Sequence, residues 1–179
     1  PQKGRLRQFN QFGIECIGIS NPMGDVEVIS IGYEFLKKLN LLDKINLKIN
    51  TLGDNESRVN YRKILIEYLE DYKSELSKES IKRLSENPLR ILDSKNETDK
   101  KILINAPNVL DYLNQNSKER FEKVCLGLDA LKINYNIDKN LVRGLDYYCH
   151  TAFEFITNDL GSQGTVLAGG RYDGLSKML

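Results

Sequence analysis

The pattern of apolar and polar positions divides the chain into three stretches. From Arg5 to Ile19 apolar residues alternate with polar ones, and Phe, Ile and Cys are frequent, which predicts an extended strand. From Gly24 to Leu39, Val28, Ile31, Phe35 and Leu39 stand at helical spacing. Asn21-Pro22 breaks the chain before this helix, and Asp25 and Glu27 suit its positive N-terminal end. Lys44 to Thr51 sets Ile45, Leu47 and Ile49 against Asn46, Lys48 and Asn50, a half-buried strand ended by Leu52-Gly53-Asp54.

Residues 55–136 change character and read as charged helices. A helix starting at Asn55-Glu56-Ser57 has Val59, Ile66 and Leu69 as its apolar stripe. Ser77 caps a second, with Ile81 and Leu84 facing inward and Asn87-Pro88 ending it. Thr98 caps a third through Ile104, and Asn116-Ser117-Lys118-Glu119 forms a capping box before Phe121, Val124, Cys125, Leu128 and Leu131. Four short helices make a small bundle. Residues 137–179 return to strand chemistry, with Cys149–Thr157 and Thr165–Ala168 joined by a hairpin loop over 158–164. The expected fold class is therefore α+β, one domain (1–54 and 137–179) interrupted by a helical one (55–136).

Composition narrows the function. Of 179 residues 40% are hydrophobic, enough for a core, and 26 basic against 25 acidic residues leave a net charge of +1. Any polyanion must therefore be held by a few placed arginines and not by a general field. No apolar run nears the roughly 20 residues of a membrane span, and no signal peptide is visible. Cys16, Cys125 and Cys149 are widely spaced without a CxxC pair, which points to a reducing cytoplasm and free thiols packed as small hydrophobes. His150, the single histidine, reads as a structural or surface residue, and metal-ligand spacing is absent. The polar start without Met and the end without a stop signal both suggest a longer parent protein.

Three runs combine residues that suit a site. In Gly4-Arg5-Leu6-Arg7-Gln8-Phe9-Asn10-Gln11-Phe12-Gly13-Ile14-Glu15, a strand would put Arg5, Arg7, Phe9, Gln11, Gly13 and Glu15 on one face. Leu6, Phe12, Ile14 and Cys16 would form the core face opposite. Arginines suit phosphates, Phe9 offers a stacking surface, and Gln11 and Glu15 accept hydrogen bonds from amino or imidazole nitrogens. A solvated strand face fits this run equally well. Leu141-Val142-Arg143-Gly144-Leu145-Asp146-Tyr147-Tyr148 suits a pocket wall or a turn with aromatic packing. Leu167-Ala168-Gly169-Gly170-Arg171-Tyr172-Asp173-Gly174-Leu175 permits a close backbone approach or a bulge, without the pattern of a P-loop or a dinucleotide fingerprint.

In this order and spacing the three runs resemble the histidyl-tRNA synthetase family across essentially the whole chain. Arg5 and Phe9 match the second half of class II motif 2, an Arg-x-x-x-Phe. The runs at 141–148 and 168–174 resemble the family's two histidine signatures, and Asn87-Pro88-Leu89-Arg90-Ile91-Leu92-Asp93-Ser94-Lys95 resembles its insertion domain. The resemblance implies part of a class II antiparallel sheet with flanking helices, interrupted by the helical insertion.

It also implies a reaction and a set of roles. Histidine is activated with ATP to histidyl-adenylate, then passed to tRNA(His); Mg²⁺ is carried by the ATP phosphates. Arg5 would contact ATP phosphate, Phe9 would stack on adenine, and Arg143 would bridge the α-phosphate and the substrate carboxylate. Gln11 would hold the α-amino group, and Glu15 and Tyr148 the imidazole nitrogens, with Tyr147 and Tyr172 lining the pocket. Gln2 and Arg7 would meet the tRNA acceptor end. A cytoplasmic homodimer is implied for the full-length protein. Motif 1, the first half of motif 2, motif 3 and the anticodon-binding domain are not in these 179 residues, so the chain alone is expected to be inactive. Three rival readings differ in class: a synthetase-like regulatory subunit of ATP phosphoribosyltransferase, a tRNA-sensing pseudo-synthetase, and a helical nucleic-acid module on an unrelated sheet.

Overall fold

The computed structural model describes residues 6–145, 147–161 and 164–175. Its elements in chain order are α1 (Met23–Lys38), β1 (Ile45–Thr51), α2 (Asn55–Asp71), α3 (Lys78–Glu86), α4 (Glu97–Leu103), α5 (Gln115–Ala130), β2 (Asn136–Ile137), β3 (Cys149–Thr157) and β4 (Thr165–Arg171). Single 3₁₀ turns at Leu42–Lys44, Pro88–Ile91 and Val109–Tyr112 join some of them. The strands form one sheet in the order β2-β1-β3-β4. β1 runs antiparallel to β3 from Ile45 opposite Thr157 to Thr51 opposite Thr151, and β4 is antiparallel to β3. Among the described strands, only the two-residue β2 is parallel to its neighbour. The fold is thus the mixed, mostly antiparallel α+β arrangement expected. No helix among the described residues is long and apolar enough to cross a membrane.

Two apolar cores form. One joins α1, α5 and the sheet through Val26, Ile29, Leu47, Ile49, Val124, Leu128, Phe153 and Phe155. The other lies wholly within residues 61–113 and contains Tyr61, Leu65, Leu69, Leu84, Ile91 and Leu103. Helix α5 buries Phe121, Val124 and Leu128 in the sheet's core.

Local chemistry explains the helix starts. Asp54 accepts from the Ser57 N–H, Ser77 from Ser80, Asn96 from Thr98 and Asp99, and Asn114 from Ser117. Ser77 is the cap expected; the caps of α4 and α5 are Asn96 and Asn114, two residues before the expected positions. The caps of α2 and α5 are also tied to each other. Asn114 Nδ2 donates to Asp54 Oδ2 at 2.8 Å, Asn114 N–H to Ser57 Oγ at 3.0 Å, and Asp54 N–H to Ser117 Oγ at 3.1 Å. The residue pair where the chain leaves the sheet and the pair where it returns are therefore clasped together.

Four sequence expectations are corrected. Residues 6–20 form no strand and are exposed throughout. A strand is stable only when a neighbour takes its backbone N–H and C=O groups, and no described strand pairs with this segment. Its supposed core face is therefore open, with Leu6 73% and Phe12 64% exposed. On α1 the buried stripe is Val26, Ile29 and Leu36 with Gly24 and Gly32; Ile31, Phe35 and Leu39 stay exposed. The helix is apolar on two sides, and spacing alone picked the wrong one. On α2 the inward residues are Tyr61, Leu65 and Leu69, and Val59 points outward; Ile81 of α3 is likewise exposed.

Candidate active site

The β3–β4 pair makes the floor of the site, and the glycine pair in β4 is what lets aromatic side chains lie on it. A side chain on Gly169 would meet the Phe153 ring at 2.6 Å. One on Gly170 would meet the Thr151 carbonyl at 2.9 Å and the Tyr148 ring at 3.0 Å. With no Cβ there, Tyr148 settles against the strand. Tyr147 packs on Tyr148 with ring centroids 4.9 Å apart, and Tyr172 meets Tyr147 and Tyr148 edge-on at 6.4 and 6.3 Å.

Above this floor is an open cleft of about 1630 Å³. Its walls come from residues 9–20, the outer side of α1, Arg143, Tyr148, β3, β4 and Tyr172. Phe9, Gln11 and Glu15 all line it, and so does Arg143. Stretches more than a hundred residues apart therefore share one cavity. Phe12 anchors the N-terminal wall by packing edge-on against Phe35 at 4.7 Å. Of the other expected site residues, Tyr147 stands outside the lining, behind Tyr148. Arg7 is exposed and also outside it. Gln2 and Arg5 lie outside the described residues, as does Asp146 of the first signature.

The polar contacts are specific. The Tyr172 hydroxyl donates to Glu15 Oε1 at 2.6 Å, crossing from β4's end to the N-terminal wall. That hydrogen bond, with burial, pushes the Tyr172 phenol up to about 12. Burial and the neighbouring Tyr148 raise the Tyr147 phenol as well. Arg143 donates from Nη1 to Glu154 Oε1 at 3.1 Å and lies 5.3 Å over the Tyr148 ring. Its Nε is buried and has no hydrogen-bond partner among the described residues. An arginine held by stacking and one carboxylate, with donor capacity left over, is equipped to take an anionic group.

Sequence reasoning missed the hub of the site. The sequence marks Asp25 only as a helix-favouring acid. It accepts from Arg171 Nη1 at 2.8 Å and from Thr151 Oγ1 at 2.7 Å, and Arg120 approaches it at 3.7 Å. Arg171 also donates from Nη2 to the Ile19 carbonyl at 2.6 Å, and Arg120 Nη1 to the Ser20 carbonyl at 2.7 Å. This network fixes the end of the N-terminal wall to the sheet. The one signal was Arg171 standing inside the Gly-Gly-Arg-Tyr-Asp run; its partner lies 146 positions away.

The fold has counterparts among known proteins, and they are those of an aminoacyl-tRNA synthetase. The sequence model described as histidyl-tRNA synthetase matches residues 1–179. The whole chain is 54% identical over 179 residues to a histidine–tRNA ligase of Orientia tsutsugamushi (strain Boryong), covering 42% of it. It is 55% identical to one of Ehrlichia ruminantium (strain Welgevonden), covering 43%. The crystal structure of apo S. aureus histidyl-tRNA synthetase superposes with a TM-score of 0.73 at 38% identity, over 96% of this chain and 42% of that one. A Bacillus halodurans C protein titled ATP phosphoribosyltransferase regulatory subunit/histidyl-tRNA synthetase shares the fold, with a TM-score of 0.54 at 22% identity over 87% of this chain and 44% of that one. The chain belongs to the histidyl-tRNA synthetase family, and it spans under half the length of the curated relatives it matches.

Proposed function

We propose that the chain supplies the histidine pocket and part of the ATP site of a histidine–tRNA ligase. The protein would join histidine to ATP as histidyl-adenylate and then transfer it to tRNA(His). The observation that carries this is the Glu15–Tyr172 bond in the same cleft as Arg143. A carboxylate and phenols can bracket the two nitrogens of an imidazole, Glu15 accepting and Tyr148 or Tyr172 completing the pair. Gln11 supplies an acceptor for the substrate α-amino group. Phe9 offers its ring to adenine; by the family resemblance Arg5 would contact ATP phosphate, and Gln2 and Arg7 would meet the tRNA end.

The chemistry asks little of side-chain nucleophiles. The histidine carboxylate attacks the α-phosphorus, and pyrophosphate leaves. Two anions must approach, so fixed positive charge and positioning lower the barrier. Arg143 has the geometry for that, oriented by Glu154 and Tyr148 with Nε unpartnered. Mg²⁺ arrives with the ATP phosphates as part of the substrate. Motif 1 elsewhere in the parent protein would build a homodimer, and the setting would be the cytoplasm. The high identity to histidine–tRNA ligases favours catalysis over the regulatory-subunit and tRNA-sensor readings. We also propose that the functional insertion is residues 55–113, with α5 part of the catalytic domain.

Glu15→Ala in the full-length protein tests the pocket. Histidine-dependent pyrophosphate exchange should show a rise in the histidine KM equivalent to roughly 2–5 kcal/mol, with the ATP KM nearly unchanged. Equal changes in both would contradict the assignment.

A further inference from the structure

At the edge of the cleft, where β3 begins and the turn after β4 passes, Cys149 and His150 converge with Asp173, which lines the cleft. Each offers one ligand atom, and the three atoms lie within 4.8 Å of one another. Neither Cys149 nor His150 lines the cleft. Neighbours on a strand ordinarily face opposite ways. Here His150 has φ of 48°, a left-handed conformation that His adopts more readily than most residues, and the β3–β4 register shifts between Cys149 and Ala152. The irregularity breaks the alternation, so two consecutive side chains reach the same side. The His150 backbone is held in that shape. Its N–H donates to the Gly53 carbonyl at 2.7 Å, and its own carbonyl accepts from Leu52 at 2.7 Å. Its Nδ1 is buried with no hydrogen-bond partner among the described residues, which calls for a physical explanation in a native site.

We propose that Cys149, His150 and Asp173 bind a divalent transition-metal ion, with zinc the best match. Zinc takes sulfur, imidazole nitrogen and carboxylate oxygen together, and three protein ligands leave one tetrahedral position for solvent. With bonds of about 2.0–2.3 Å the ligand atoms of such a site stand roughly 3.3–3.7 Å apart, so small side-chain rotations close this set. On binding, the Cys149 thiol gives its proton to solvent and His150 enters neutral. Burial, helped by Arg120, already holds His150 below the usual histidine range, and burial holds the Cys149 thiol up, so the metal must displace that proton. The Asp173 backbone N–H donates to the Cys149 sulfur, and Arg171 Nε orients the Asp173 carboxylate at 2.7 Å, both suitable supports for ligands. Arg58, Arg120 and Arg171 face the cluster and Asp54 offsets them in part. That field disfavours a loosely held Mg²⁺ or Ca²⁺ and leaves metals that bond strongly to thiolate. The bound ion would pin the start of β3 to the turn that carries Tyr172. This inference is independent of the proposed reaction.

The test uses the full-length protein, stripped with a chelator and titrated with Co²⁺ under reducing, oxygen-free conditions. The expected result is a near-ultraviolet thiolate-to-cobalt band that saturates at one ion per chain and is displaced by one equivalent of Zn²⁺. Cys149→Ser should abolish the band, and Cys125→Ser should leave it. His150→Asn, which tolerates the same backbone, and Asp173→Asn should each lower the Co²⁺ affinity at least about tenfold. Absence of the band in the unmutated protein overturns the proposal. So does a band that survives Cys149→Ser, or one of unchanged affinity in both His150→Asn and Asp173→Asn. The last two variants keep the test decisive if Cys149→Ser fails to fold.

Discussion

The helical insert and the cleft are built on opposite plans. The fully buried core of the insert comes from residues 61–113, and its most deeply buried acid is answered within that span. Asp99, fully buried, accepts from Ser77 N–H and from the hydroxyls of Ser77, Ser80 and Ser94 at 2.6–2.8 Å. The cleft gathers residues 9–20, α1, Arg143, β3 and β4, and one whole wall is exposed. A self-contained core makes a rigid body. A cleft drawn from distant segments makes a site whose shape depends on a few long-range bonds.

The largest expected effects test where that division falls. Leu65→Ala and Leu128→Ala each remove a fully buried side chain and should cost about 2–5 kcal/mol. In hydrogen exchange, Leu65→Ala should deprotect α2–α4 and leave β1 and β3 protected. Leu128→Ala should do the reverse, because α5 packs on the sheet. Deprotection of both regions by either change would show one cooperative unit.

Next comes Asp99→Ala, at roughly 3 kcal/mol in urea unfolding, since it strands several buried donors. Burial raises the Asp99 carboxyl, but the Ser77 backbone bond and the three serine hydroxyls outweigh it and leave it below the usual range. Its contribution is therefore complete above the unfolded value near ~4 and lost as pH falls through the lower folded value. Acid should loosen the insert in the parent, and the Asp99→Ala protein should lack that dependence.

Gly170→Ala sharpens the other side of the comparison. A methyl group against Thr151 and Tyr148 should cost about 1–3 kcal/mol and disturb ligand binding more than insert stability. Titration calorimetry with histidine on the full-length protein would measure it. Smallest is Tyr172→Phe, about 0.5–1.5 kcal/mol, seen as faster exchange in residues 9–20. Because the folded phenol titrates near 12, its contribution is present below the unfolded value of about 10 and is lost as pH rises between the two. Glu15→Gln should bring that titration back toward 10.

What the sequence revealed follows the same line. Ser77 before α3, the alternation in β1 and the apolar run of β3 were legible because caps and periodicity are local. The strand expected over residues 5–19 was not a safe inference, since a ladder needs a partner and alternation cannot supply one. The inward face of α1 was misjudged because Gly24 and Gly32 mark close packing that hydrophobicity does not score. The runs around Glu15, Arg143 and Tyr172 were singled out by residue type, and they line one cleft. The Asp25–Arg171 pair was invisible, as nothing in either neighbourhood names the other.

The clasp between Asp54, Ser57, Asn114 and Ser117 has a consequence for how the chain can be assembled and altered. β1 and β3 are adjacent in the sheet although nearly a hundred residues separate them, a costly closure for an open chain. Once the clasp forms, the sheet experiences only a short detour there, whatever the module beyond it contains. Such a module is portable: a brief turn joining Asp54 to Asn114, or a foreign helical unit with equally close termini, should let the remaining scaffold reach the same strand register.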